Sequence, residues 1–165
     1  MGDGARVMRV VSDDSDEEAS FAIGRSGRVI QIRVRRLTGL ADVERLDDAV
    51  VSALRDAGPG ASICSDYRTT SPLPPQVVKA WSKIMRGTNG ALSRSALLID
   101  PRNTLFNLQM ERIVRCAANP DRRIFPDVAR LGDWLAAVLA ESERAAVGAF
   151  LLNWGGAWSP GFTHP

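Results

Sequence analysis

Hydrophobic and polar positions alternate early in the chain. In an extended segment, residues 28–36 place β-branched residues on one side and mainly polar residues on the other. The β-branched side includes Ile30, Ile32 and Val34, and the polar side includes Arg33 and Arg35. This period of two predicts a strand with one buried face and one solvated, arginine-bearing face. Residues 21–23 predict a partner strand, and residues 24–27, Gly-Arg-Ser-Gly, are typical of a hairpin turn.

Beyond residue 40, short apolar runs alternate with stretches in which apolar residues recur every three or four positions. The apolar runs predict three more strands, at 61–65, 95–99 and 122–125. The stretches with helical spacing begin at residues that can cap a helix or occupy its first turn. They predict helices at 42–57, 74–87, 103–118 and, as one helix or two, from Asp127 to about Trp154.

This order of elements indicates the fold class. Strands that alternate with amphipathic helices predict an α/β fold with a mixed, mostly parallel β-sheet. The opening pair adds an N-terminal β-hairpin, and four to five amphipathic helices are expected. The folded domain is predicted to span residues 20–153.

Both flanks differ in composition from this body. Residues 1–19 contain the acidic run Asp13 to Glu18. Its like charges repel one another and resist burial, so a disordered acidic arm is predicted. Residues 154–165 form a predicted flexible tail rich in Trp, Gly and Pro. Its aromatic residues either fold back on the domain or anchor in a pocket of a partner; they are Trp154, Trp158 and Phe162.

Composition narrows the possible chemistry. The chain has 165 residues, 45% of them apolar, which suits one compact domain. Its single histidine is His164, next to the end of the sequence. A Ser-His-Asp triad, a Cys-His pair and a site with several histidine ligands are therefore disfavoured. We expect no catalytic residues, no metal and no cofactor, and hence a protein that is not an enzyme.

The same sequence predicts a cytoplasmic protein. Cys64 and Cys116 are far apart and lie in apolar runs, which predicts reduced, inert core thiols. No run approaches the roughly 18 apolar residues of a membrane span. The first residues lack the apolar stretch of a signal peptide.

Charge is divided unevenly along the chain. The net charge is +2. Residues 1–19 contain six acids and two arginines, a net charge of −4, and the remainder contains 19 basic and 13 acidic residues, a net charge of +6. A charge of +6 is moderate and is not clustered, so specific binding to nucleic acid is not expected. The acidic arm is either a solvated tail or an intramolecular mask over the basic body.

The loop after the third predicted strand is the most distinctive polar segment. It consists of Asp66, Tyr67, Arg68, Thr69, Thr70 and Ser71. Because the N-terminal amides and dipole of the next helix favour an anion, Thr70 and Ser71 are candidate phosphoacceptors and Arg68 is a candidate phosphate partner. The alternative is that Ser71 caps the helix, while Tyr67 only packs against the core.

Three acids lie at or near the carboxyl ends of predicted strands, where folds of this class bind ligands. They are Asp66, Asp100 and Asp127. They form either a ligand-binding end, able to hold Mg²⁺ or face a nucleotide or lipid, or ordinary cap and turn positions.

Several local patterns resemble the STAS domain (sulfate transporter and anti-sigma factor antagonist), in particular its divergent bacterial members. They are Arg28-Val29-Ile30, the helix that opens at Asp42, Asp66-Tyr67-Arg68 at a strand end, Asn107-Leu108-Gln109-Met110 with Arg112, and Arg123-Ile124-Phe125 with Asp127 before Trp134-Leu135. The resemblance covers about residues 20–153 and implies a STAS-like fold.

The resemblance also implies a function. STAS domains are non-catalytic cytosolic modules that bind protein partners and sometimes nucleotides or lipids. Anti-sigma factor antagonists are switched by phosphorylation at the start of the helix after the third strand. That position corresponds to Thr69 to Ser71, although the usual Asp-Ser-Ser/Thr-Gly pattern is absent and Pro72, Pro74 and Pro75 stand there.

We therefore expect a regulatory domain that binds a protein partner, such as a kinase, an anti-sigma factor or another signalling protein. The alternative is a module that binds a nucleotide or lipid at the carboxyl ends of the strands.

Overall fold

Within residues 20–153, which the computed structural model describes, five strands form one sheet. In sheet order, which is also chain order, they are β1 (Phe21–Ser26), β2 (Val29–Val34), β3 (Ala61–Asp66), β4 (Leu92–Leu98) and β5 (Arg122–Phe125). β1 is antiparallel to β2, and the other neighbouring strands are parallel. The predicted α/β fold with a mostly parallel sheet and an N-terminal hairpin is confirmed.

Five α-helices in this part of the chain cover the two faces of the sheet. They are α1 (Leu40–Ala57), α2 (Pro75–Gly87), α3 (Thr104–Ala117), α4 (Val128–Ala136) and α5 (Glu141–Leu152). α1, α2 and α3 connect parallel strands that advance in one direction, so right-handed crossovers bring all three helices to the same face. α4 and α5 follow the last strand and pack on the opposite face.

Two apolar cores result from this layering. The larger lies between the sheet and α1 to α3 and includes Leu46, Trp81 and Phe106. The smaller lies under α4 and α5 and includes Leu135 and Phe150. Since both faces of the sheet are covered by helices, polar side chains can meet solvent or a partner mainly where strands end and loops begin.

The hairpin turn is shorter than the sequence predicted. β1 continues to Ser26, which pairs with Val29, and leaves a two-residue turn at Gly27 and Arg28. Gly27 has a φ of 58°, and a Cβ atom there would lie 2.5 Å from Oε1 of Glu143. The same Oε1 accepts a hydrogen bond from the Arg28 amide at 2.7 Å. The turn therefore needs glycine because of its conformation and because a buried carboxylate packs against it.

The prediction that β2 has a solvated face is wrong. Every residue of β2 is buried, and Arg33 is only 5% exposed. α5 packs on the side that Arg33 occupies, and the guanidinium donates a hydrogen bond to the Phe150 carbonyl at 2.8 Å. The alternation correctly assigned apolar and polar side chains to opposite faces of the strand, but helices cover both faces.

The two cysteines occupy different environments. Cys64, on β3, is buried and free, and burial raises the pKa of its thiol far above the usual range. Cys116, near the end of α3, is free and exposed, so the prediction that it is a core thiol is wrong. No helix in the described range is long and apolar enough to cross a membrane.

The predicted acidic arm, residues 1–19, and the predicted tail with Trp154, Trp158 and Phe162 lie outside the described residues.

Candidate functional site

The polar loop between β3 and α2 lies at the carboxyl edge of the sheet. It is held there by contacts with two other segments. The Thr70 hydroxyl donates to the Val34 carbonyl at 2.6 Å, at the end of β2. The Ser71 amide donates to the Arg35 carbonyl at 3.4 Å, and the Asn103 side-chain amide donates to the Thr70 carbonyl at 2.9 Å. The loop is therefore fixed both to the strand beside it and to the start of α3.

Asp66, the last residue of β3, is the electrostatic centre of this edge. It is 2% exposed, and its carboxylate accepts hydrogen bonds from two arginines. Arg33 donates through Nε at 3.2 Å, while Arg68 donates through its amide at 3.1 Å, Nε at 3.0 Å and Nη2 at 2.9 Å. A buried carboxylate is stable only when paired and hydrogen-bonded in this way.

The same two arginines extend from Asp66 to the end of α5. Arg33 donates to the carbonyls of Phe150 and Asn153 at 2.8 and 3.0 Å, and Arg68 donates to the Leu151 carbonyl at 3.0 Å. The last carbonyls of a helix lack partners within the helix and carry partial negative charge, so cations there are favourable. This arrangement, the Asp66 clamp (Asp66, Arg33 and Arg68), joins β2, β3 and α5.

The other two strand-end acids are also occupied by donors from their own chain. Asp100 accepts from the Arg102 amide at 2.9 Å and from its Nε and Nη2 at 3.0 and 2.8 Å. The guanidinium and the amide of Arg102 lower the pKa of Asp100 to about 2. Asp127 accepts from the Arg130 amide at 2.8 Å and so caps α4. These geometries match the cap and turn alternative.

A metal site is not formed by these acids. No group of three or more His, Cys, Asp or Glu side chains that could hold an ion occurs among residues 20–153.

Some side chains of the loop are bonded within the fold and hold the loop in place, whereas others are exposed to solvent. Thr70 is 1% exposed, and its hydroxyl is already bonded within the fold, so a kinase could not reach it in this conformation. Arg68 is engaged in the Asp66 clamp. Thr69 and Ser71 are exposed. Ser71 does not cap α2, because the cap position is Pro74 and no side chain bonds there.

Tyr67 supports the loop from below. Its ring is 2% exposed and packs against Phe106, with ring centroids 5.8 Å apart. Burial raises the pKa of its hydroxyl to about 12, even though hydrogen bonding with Ser65 and the charge of Arg122 act in the opposite direction. Tyr67 is therefore a neutral core residue and not part of the presented surface.

Next to the loop, α3 exposes two leucines. Leu105 and Leu108 are 57% and 59% exposed and lie one turn apart. Asn103, just before α3, bonds to the loop, so the helix that carries these leucines begins beside the loop. The sequence analysis did not predict this exposed apolar surface, because Leu108 lies on α3 but outside the stripe of apolar residues that packs on the sheet.

A groove between α2 and α3 was also not predicted. It has a volume of about 830 Å³ and contains four cationic side chains and no acid; the cations are Lys79, Lys83, Arg86 and Arg112. All four are exposed. The three on α2 are spaced four and three residues apart, which places them on one face of the helix. That spacing was the signal available in the sequence.

Comparisons with known proteins identify the fold. No protein-family profile and no curated protein matches the chain. A solved structure does match: an uncharacterized protein of the DUF3478 family, with a SpoIIAA-like fold, from Shewanella loihica PV-4. The two chains share 18% identity and superpose with a TM-score of 0.53 over 74% of this chain and 98% of the other. Together with the sheet order and helix layers, this match shows that the chain has the SpoIIAA-like fold, which is the STAS-like fold.

Proposed function

We propose that the chain is a cytosolic, non-catalytic regulatory domain that acts by binding another protein, in the manner of anti-sigma factor antagonists. The loop Asp66–Ser71 forms the centre of the contact. The observation that carries the proposal is that Thr69 and Ser71 present exposed hydroxyls on a loop whose remaining residues are anchored in the fold. The SpoIIAA-like fold is compatible with a regulatory role.

The anchoring of the loop favours binding. A loop that is already held by Val34, Arg35 and Asn103 loses little conformational freedom when a partner contacts it. Leu105 and Leu108, on the helix that begins beside the loop, supply exposed apolar area. A central apolar contact with polar groups around it is the usual composition of a protein–protein interface.

Phosphorylation would act on the same surface. Of the loop hydroxyls, Thr69 and Ser71 are accessible, whereas Thr70 is not. A phosphate adds a charge of about −1.5 to −2 and three strong acceptor oxygens. On either residue it would change the charge of the contact surface without breaking a hydrogen bond of Thr70 or the Asp66 clamp.

The alternative, a nucleotide- or lipid-binding module at the strand ends, has weaker support. The carboxylates expected to face such a ligand already accept hydrogen bonds from their own chain; they are Asp66, Asp100 and Asp127.

Affinity capture with the full chain tests the proposal. The wild-type chain and the double variant T69R/S71R are used as bait in native cytosol, with quantitative mass spectrometry of the bound proteins. Ser142→Arg, an exposed position on α5, is the matched control. We expect a defined partner that binds the wild type and Ser142→Arg and is lost with T69R/S71R. Capture of the same proteins by all three baits would refute the loop as the contact.

A further inference from the structure

The groove between α2 and α3 carries a concentration of positive charge that its surroundings do not neutralise. Lys79, Lys83 and Arg112 form no ion pair within residues 20–153. Arg86 uses its guanidinium to donate to the Cys116 carbonyl and keeps its charge exposed. An acidic ligand is therefore the occupant that this groove fits.

The chemistry of the groove also favours a peptide over a small anion. Its cations lie along both walls and are mixed with the apolar side chains of Val78 and Leu108. The groove lies between two helices, and three of its cations follow α2 over about two turns. An extended acidic segment can pair with such a row of charges, whereas a single phosphate could contact only part of it.

The chain itself contains a segment of this kind. Residues 1–19 carry a net charge of −4, and five of their six acids fall within the run 13–18. The groove contains four cations, so the net charge of −4 on this segment would balance it. The lysines at 79 and 83 are the only two in the sequence, so both lie in the groove.

Hydrogen bonds connect Ser20, where the acidic segment ends, to the segment that leads into the groove. The Ser20 carbonyl accepts from the Arg35 amide at 2.9 Å, and the Arg35 carbonyl accepts from the Ser71 amide at 3.4 Å. Two residues further on, Leu73 bonds with Gln109, which lines the groove. An extended chain spans up to about 3.4 Å per residue, so Asp13 can lie up to roughly 24 Å from Ser20 and Glu18 up to roughly 7 Å, and the first acids of the run are the ones that reach the groove.

We propose that the acidic segment of residues 1–19 binds in the α2–α3 groove of its own chain and masks the groove from acidic partner proteins. This inference does not depend on the proposed contact at Thr69 and Ser71, since neither of these residues lines the groove. The pairing is held by exposed charges, so it is reversible and weakens as ionic strength rises.

Zero-length coupling with a carbodiimide tests the pairing in the full chain. The reagent activates a carboxylate, and a lysine amine in contact with it displaces the activating group to form an amide. Because Lys79 and Lys83 are the only lysines, cross-linked peptides report on the groove. We expect peptides that join Lys79 or Lys83 to acids of the run 13–18, with fewer of them at high salt. Cross-links from these lysines only to acids of residues 20–153 would overturn the proposal.

A mixture of chains with normal and heavy nitrogen separates binding within a chain from binding between chains. Cross-links within one isotope class support the proposal. Cross-links that join normal to heavy chains at the statistical frequency would overturn it, because the occupant would then be a second copy.

Acylation of the lysines gives a second readout that does not need cross-linking. The variant D13N/D14N/D16N/E17Q/E18Q removes the charge of the run. The matched control removes five exposed acids elsewhere, namely Glu44, Asp48, Asp56, Asp133 and Glu141. If the segment occupies the groove about two-thirds of the time, the lysines are free about one-third of the time. We therefore expect the rate of acylation of Lys79 and Lys83 to rise about threefold in the first variant and to stay unchanged in the control. Equal rates in wild type and both variants would overturn the proposal.

Discussion

Asp66 is the residue on which the carboxyl edge of the sheet depends most. It balances Arg33 and Arg68, which also bond to the end of α5, and its side chain is almost fully buried. Removing one member of a buried ion pair leaves the other without compensation for its lost hydration. Asp100 has the same local partner, an arginine two residues later, but Arg102 is 82% exposed, so solvent replaces the contact.

We therefore predict that Asp66→Asn lowers the free energy of unfolding by about 3 kcal/mol. Asp100→Asn, the control, should lower the midpoint of denaturation much less, because solvent screens the contact with the exposed Arg102 side chain. Urea unfolding followed by circular dichroism measures both. Equal, small effects of the two substitutions would show that the Asp66 clamp does not stabilise the fold.

Tyr67 gives a second prediction at this scale, because it is the only tyrosine in the chain. Burial raises the pKa of its hydroxyl from 10.0 to about 12, so the unfolded protein loses this proton at a lower pH than the folded one. Stability from this group is complete below pH 10 and falls as the pH rises towards 12.

The absorbance of tyrosinate measures this titration directly. The native chain should titrate near pH 12, and the chain in denaturant near pH 10. Tyr67→Phe should show no tyrosinate signal. A native titration near pH 10 would mean that Tyr67 is solvated and does not pack beneath the loop.

At the scale of elements, α5 determines which parts of the sheet are buried. Arg33 and Phe150 are 117 positions apart in the chain, and their contact makes the second face of β2 an interior surface. The alternating pattern of β2 describes the strand alone and carries no information about a helix that packs later. The hairpin, the parallel strands and the helices were predictable because each follows from neighbouring residues, whereas the cover of β2 follows from a distant one.

Glu143 shows how closely α5 is fitted to the hairpin. Its Oε1 accepts from the Arg28 amide at 2.7 Å, and its Oε2 accepts from the Ala140 amide at 2.9 Å. Glu143→Gln would replace one accepting oxygen by an NH₂ group that faces a backbone N–H. We expect a loss of about 2 kcal/mol in the free energy of unfolding.

The neighbouring Glu141→Gln is the control for this prediction. Glu141 is exposed in the first turn of α5, so its substitution should change stability by less than about 0.5 kcal/mol. Thermal unfolding of the two variants compares them. If Glu143→Gln were as stable as Glu141→Gln, the carboxylate would not fasten α5 to the hairpin.

For the whole molecule, charge and exposure decide where a partner can bind. Helices cover both faces of the sheet. Asp66 and Asp100 are paired with the chain's own arginines, and Asp127 accepts a backbone amide as the cap of α4. The exposed surface of residues 20–153 includes the loop with Thr69 and Ser71, the two leucines on α3, and the cationic groove. The loop was predictable as a segment, but which of its hydroxyls are presented depends on Val34, a residue of another strand.

The central claim is that this loop binds a protein partner, and the affinity of the captured partner tests it most directly. Isothermal titration would compare the wild type, T69R/S71R and Ser142→Arg. We predict that T69R/S71R weakens binding at least about tenfold, the effect of losing roughly 1.4 kcal/mol at the centre of an interface, while Ser142→Arg binds within about twofold of the wild type. Equal dissociation constants for all three chains would contradict the account.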